Sequence, residues 1–226
     1  KMSTEKIIEY YNQLASEYDE NRFGNSYGQF IDFQERRILN KIFKNQSGKI
    51  LDLACGSGRL TNFATSGADA SEEMLKIAQK KHSEREFFQA KSNELPFEKE
   101  TFQGCLTFHF IMHLNEVIFT KTIDEVHRIL SKNGTFVFDI PVKSRRKILN
   151  QNQENWHAAL SFNQDEIEKF IKNKFEIRKK FGLLIIPIHR IPKRFRKYFL
   201  TFDFLLSNFG LLKNLSSYHI YELRKI

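Results

Sequence analysis

The stretch Ile50-Leu-Asp-Leu-Ala-Cys-Gly-Ser-Gly-Arg-Leu-Thr61 decides the fold. A short apolar run enters a glycine turn and then opens toward a helix. Glycines there let the backbone approach a ligand, and free amides at a helix start face it, so a nucleotide-like ligand is expected. A phosphate-binding loop would need Gly-Lys-Ser/Thr where Gly58-Arg59-Leu60 stands, which excludes it. A dinucleotide fingerprint would need a third glycine where Thr61 stands, which makes it a weak fit.

Reading outward, apolar runs and helical periodicity alternate. Amphipathic spacing through Ile7, Ile8, Tyr11, Leu14 and Tyr18 predicts an opening helix, and residues 29–44 predict a second that Gly48 stops. Ala64 to Asp69, Phe87 to Ala90, Phe102 to Phe108 and Thr135 to Ile140 read as further strands. Ser71 caps a helix reaching Lys81, and another covers 116–130, with Asn133-Gly134 as its stop. A polar basic stretch at 143–157 leads to a helix over 163–173, then strands at Phe175 to Ile188 and Ser216 to Arg224. The alternation predicts an α/β, doubly wound, mostly parallel sheet of seven strands with an antiparallel last strand. Only nine residues (55–63) separate the first two strands, so either the first crossover helix is one or two turns or the second strand is trimmed.

The glycine stretch resembles motif I of class I S-adenosylmethionine-dependent methyltransferases, in their small-molecule, UbiE-like branch. Other pieces follow in that family's order. Gly67-Ala-Asp-Ala-Ser-Glu-Glu-Met-Leu75 resembles the end of strand two, and Asn93-Glu-Leu-Pro-Phe97 the loop after strand three. His127-Arg-Ile-Leu-Ser-Lys-Asn-Gly134 resembles the stretch before strand five, and Tyr10-Tyr-Asn-Gln-Leu-Ala-Ser-Glu-Tyr-Asp19 the helix that covers the cofactor. The resemblance implies S-adenosylmethionine as cofactor. Asp69 would take the ribose hydroxyls, and Met74 would flank the adenine. Asp52 would hold the glycine-loop amides or orient the methionine ammonium, while Gly56, Ser57 and Gly58 let the methionine part pack close. Ala54, Ala70, Ser92, Asn93 and Thr107 complete the expected cofactor set, and Tyr11 and Tyr18 contact its carboxylate or wall the pocket. Lys91 departs from the family's usual Asp at the adenine, leaving that contact to Ser92 and Asn93, and Gln103 replaces another common Asp.

His109 and His113 follow strand four, at the switch point where open α/β sheets bind ligands, and are candidate bases. Each also reads as a packed or capping residue, and His109 is the better candidate because it lies nearer the strand's carboxyl end. No Asn/Asp-Pro-Pro-aromatic or Pro-Cys motif follows strand four, which disfavours methylation of nucleic-acid bases. Paired acids for a metal are not evident, so transfer to an O or N of a small or lipid-linked acceptor without metal is expected.

The charge is uneven. Residues 1–142 hold 18 basic and 20 acidic side chains; residues 143–226 hold 18 and 7, so the excess behind the net +9 lies in the last third. Apolar residues at 41% and charged ones at 28% exclude wholesale disorder. Cys55 and Cys105 are too few for a disulfide scaffold and lack metal-ligand spacing. Lys1 precedes Met2 and is set aside. No leader pattern or membrane-length apolar run is read, so a cytoplasmic protein is expected. One domain is expected, with cofactor-covering helices at 2–45 and a Rossmann-like core at 46–226. Within that core, the basic aromatic insertion 189–214 reads as an amphipathic helix and a lid over the acceptor. Peripheral contact with an anionic membrane is the added expectation for it, and nucleic acid is disfavoured. Two alternatives remain: a non-catalytic binder of the cofactor, and a nucleic-acid methyltransferase using the basic region.

Overall fold

The computed structural model describes residues 4–148 and 160–226; the rest of the stretch read as polar and basic, 149–157, lies outside these. Strands β1 (Ile50–Leu53), β2 (Ser66–Asp69), β3 (Glu86–Gln89), β4 (Phe102–Thr107), β5 (Leu130–Pro141), β6 (Phe175–Leu183) and β7 (Tyr218–Lys225) form one sheet. Their order is β3-β2-β1-β4-β5-β7-β6. Pairings among β1 to β5 are parallel, and β7 runs antiparallel to both β5 and β6. The order reverses beside β1, which places the switch point between β1 and β4.

Helices cover both faces. On one, Ile38, Leu39 and Phe43 of α2 (Ser26–Phe43) pack with Leu106, Val137 and Phe204. On the other, Phe119, Ile123 and Val126 of α4 (Glu116–Ile129) pack with Phe136, Phe138 and Ile167 of α6 (Gln164–Ile171). Helix α1 (Thr4–Leu14) lies against α3 (Glu72–Lys81), where the Ser71 hydroxyl accepts from the Met74 amide as an N-cap. A one-turn helix, α5, occupies Lys143–Ile148.

The short first crossover carries only a 3-10 turn at Thr61–Phe63, and β2 starts at Ser66 rather than Ala64. Asn133-Gly134 does not end α4. That helix stops at Ile129, and Asn133, at φ +64°, sits in the irregular start of β5 where the register against β4 shifts. Strand β6 ends at Leu183, before Leu184 turns to φ +61°, well short of Ile188.

The insertion is not one helix. It breaks into 3-10 turns at Ile188–Arg190, Lys193–Phe199 and Gly210–Leu215 around α7 (Leu200–Ser207); Pro192 stands at the entry to the second turn, and Gly210, at φ +44°, opens the last. It buttresses α2 and β6. None of its residues lines the cavity described next, against the expectation of a lid.

Candidate active site

The carboxyl ends of β1, β2 and β4 open into a cavity of about 190 Å³, with Ile7, Ile8 and Tyr11 of α1 forming one wall. Asp69, at the end of β2, aims its carboxylate back at the loops. Its two oxygens accept from the amides of Gly56 and Ser71, each at 2.8 Å. Burial raises its pKa against those amides, yet the group stays part-exposed in the cavity wall. Ala54 holds φ +54° at the turn out of β1, a left-handed conformation that a non-glycine residue adopts at a cost.

The glycine loop fits the cofactor class its sequence implies. A Cβ added at Gly56 would meet nothing within 4 Å, so the loop presents open backbone there. At Gly58 a Cβ would crowd Ala78 and His82, so that glycine is needed for close packing on α3. Ala70 and Met74 line the far side of Asp69, followed by Ala90, Lys91, Ser92 and Asn93. The Ser92 hydroxyl is tied to the Thr122 hydroxyl at 2.8 Å, and the half-exposed Lys91 ammonium leans to Glu5, 3.7 Å away.

Opposite this wall, Tyr11 and His113 meet across the cavity. The Tyr11 hydroxyl lies 3.3 Å from His113 Nε2, and Tyr18 packs edge-on to Tyr11. Burial raises the Tyr11 pKa above its ordinary value, so its phenol keeps its proton.

His109 sits in a different setting. It has φ +56°, and its amide donates to Asp139 at 2.7 Å. Its Nε2 is 2.8 Å from Glu35 and its Nδ1 3.5 Å from Asp139. Glu35 also pairs with Arg59 at 2.8 Å, and Arg59 with Asp32 at 2.5 Å. Burial would raise the Glu35 pKa, but His109 and Arg59 outweigh it and hold the carboxyl down to about 2. Burial would lower His109, and Glu35 and Asp139 outweigh that and raise it. His109 is thus held toward its charged form, with both ring nitrogens facing carboxylates. Donor atoms of Glu35, His109 and Asp139 lie within 4.8 Å of one another, a spacing that can hold a metal ion. Arg59 and His109 already pair with those acids, so we read the cluster as an ion network.

Ten expected residues line the cavity: Tyr11, Tyr18, Ala54, Asp69, Ala70 and Met74, then Ser92, Asn93, His109 and His113. Five do not. Gly56 and Gly58 shape the loop from behind, and the Ser57 hydroxyl donates to Asp19 at 2.5 Å. Thr107 is fully buried behind β4. Asp52 lies beneath the loop, where it accepts from the Thr61 hydroxyl at 2.7 Å.

Burial pushes the Asp52 carboxyl up to about 7, against that hydrogen bond and Arg59. A raised carboxyl favours folding below its unfolded pKa, and the benefit is lost as pH rises from about 4 to about 7. Asp52→Asn, which keeps the acceptor, is expected to stabilise the fold by about 2–4 kcal/mol at pH 8 and to change nothing near pH 3. Denaturant titrations at the two pH values check this.

The network of Glu35, Arg59 and Asp139 escaped the sequence reading. The available signals were an acid on the apolar face of the second helix and another inside the apolar run Phe136-Val-Phe-Asp-Ile140.

Residues 51–138 match the family described as "Methyltransferase domain". That stretch of the chain is similar to the domain of class I S-adenosylmethionine-dependent methyltransferases. An uncharacterized protein of Methanocaldococcus jannaschii is 34% identical to this chain over 137 residues, covering 59% of this chain and 51% of its own. The ubiquinone/menaquinone biosynthesis C-methyltransferase UbiE of Campylobacter jejuni is 30% identical over 149 residues, covering 59% and 62%. The chain thus spans about half to three fifths of the curated relatives it matches. In fold, the chain superposes on the crystal structure of a SAM-dependent methyltransferase from Thermotoga maritima with a TM-score of 0.72. That match is 18% identical and covers 96% of this chain and 98% of the other. No helix of the described residues is long and apolar enough to cross a membrane.

Proposed function

We propose that the protein moves a methyl group from S-adenosylmethionine to an oxygen or nitrogen of a small acceptor, lipid-linked acceptors included. The observation that carries this reading is the single cavity in which Asp69, Met74 and Asn93 face the Tyr11–His113 pair. Asp69 would bind the ribose hydroxyls, Met74 would pack on the adenine, and Tyr18 would close on the methionine end. When bound, the cofactor supplies an electrophilic methyl on a sulfonium. The chain then has to orient the acceptor, exclude water and take its proton.

His113 is better placed than His109 for that proton. Both His109 nitrogens are already committed to carboxylates. His113 Nε2 instead faces the Tyr11 hydroxyl, 3.3 Å away, which holds the ring toward the cavity.

The test is labelling with methyl-tritiated S-adenosylmethionine in fractionated cell extract. Label in the small-molecule or lipid fraction supports the reading. Label confined to nucleic acid, or none above a heat-inactivated control, overturns it.

A further inference from the structure

Eight of the twelve large hydrophobic side chains exposed among the described residues lie between Phe195 and Leu215. Tyr198, Phe209 and Leu211 are 69%, 72% and 86% exposed, far beyond a scatter of single surface apolars. Helix α7 in this segment is inside-out. Its inward side carries Asp203, which accepts from the Gln34 side chain at 2.8 Å and the Ile186 amide at 2.7 Å, together with Ser207 and Phe204. Its outward side carries Phe202 and Leu205. An ordinary surface helix does the reverse, so the outward face is matched to an apolar medium rather than water.

The charge beside it has one sign. Lys193, Arg194 and Lys197 are exposed, and none of them is in an ion pair among the described residues. The only acid in 189–214 is Asp203, which is buried. Arg194 and Lys197 lie over the rings of Phe195 and Tyr198, so cations and apolar groups share one surface. The surface also has a defined place. Strands β6 and β7 meet at Leu183 and Tyr218, beside Pro141 at the carboxyl end of β5. The insertion therefore leaves and returns at the same sheet edge on which the cavity opens.

We propose that the segment Lys193–Leu215 is a docking surface for an anionic lipid bilayer, with its leucines and aromatics in the headgroup boundary and its cations on lipid phosphates. Nucleic acid fits less well, because four of the eight exposed apolar side chains, Leu205, Leu211, Leu212 and Leu215, offer no face on which a base stacks. A second copy of the chain fits less well, because two such surfaces would bring like charges together.

Sedimentation with vesicles tests this, without cofactor or acceptor, so its outcome is independent of methyl transfer. The protein is expected to bind vesicles of phosphatidylcholine and phosphatidylglycerol in equal parts and to bind phosphatidylcholine alone far more weakly. Lys193→Glu/Arg194→Glu/Lys197→Glu is expected to lower the affinity about 100-fold or more. Phe209→Ser/Leu211→Ser, with every charge intact, is expected to lower it about 10-fold or more. Arg196 is left alone because it bonds Ser26 and the Ile191 carbonyl. The substituted side chains are all exposed, so unchanged melting temperatures confirm folded variants. Absence of wild-type binding overturns the proposal, as does binding indifferent to both variants. So does a dimer that the apolar variant dissolves, or RNA binding in place of vesicle binding.

Discussion

Glu35→Ala is expected to destabilise the fold by about 3–5 kcal/mol, the loss typical of removing one partner from a buried ion pair. Glu35 is 1% exposed and faces two cations, Arg59 at 2.8 Å and His109 at 2.8 Å. Truncation leaves both in a dry interior, with Asp32 to hold Arg59 and Asp139 to hold His109. The effect reaches the site as well. Arg59 follows Gly58 directly, so the Glu35 contact pins the glycine loop to α2, while its second contact pins His109 at the end of β4. Cofactor affinity should fall with stability.

The pH dependence distinguishes a lost ion network from a lost packing contact. Glu35 titrates low in the fold, so its contribution is present above the ordinary glutamate pKa and fades as pH falls toward about 2. His109 titrates high, so its contribution is complete below the ordinary histidine pKa and fades as pH rises through its raised value. In Glu35→Ala both slopes should flatten. Chemical denaturation across pH measures this, and a loss under about 1 kcal/mol with unchanged slopes would show that the network contributes little.

His113→Ala is expected to lower kcat by about 100- to 1,000-fold while leaving cofactor affinity nearly unchanged, as removal of a general base does. His109→Ala should act differently, through stability and KM, because its nitrogens already face Glu35 and Asp139. Tyr11→Phe keeps the ring against Tyr18 and removes only the hydroxyl near His113, so a smaller fall in kcat is expected. Equal losses for His109→Ala and His113→Ala, both in kcat, would transfer the base role.

Short-range grammar made much of this architecture legible. The glycine loop, Asp69 at a strand end and Ser71 as a helix cap are written within 22 residues of chain, and each has a local physical reason. Interactions across the chain were not legible. Tyr11 meets His113 over 102 residues of sequence, and Glu35 meets His109 only because α2 lies under the end of β4. The insertion misled for another reason. Its apolar spacing is helical, but periodicity is blind to the 3-10 turns at its two ends and to which face turns inward. Asp52 was legible as a buried acid, but Thr61, nine residues on, takes the hydrogen bond that the ligand was expected to take.

The central claim is that the cavity beside Asp69 holds S-adenosylmethionine. Calorimetric titration of the purified protein with that cofactor tests it most directly, with Asp69→Ala as the paired variant. Micromolar binding is predicted, weakened about 10- to 100-fold in the variant by loss of charged hydrogen bonds to the ribose. No heat of binding up to millimolar cofactor, or equal affinity in the two proteins, would contradict it.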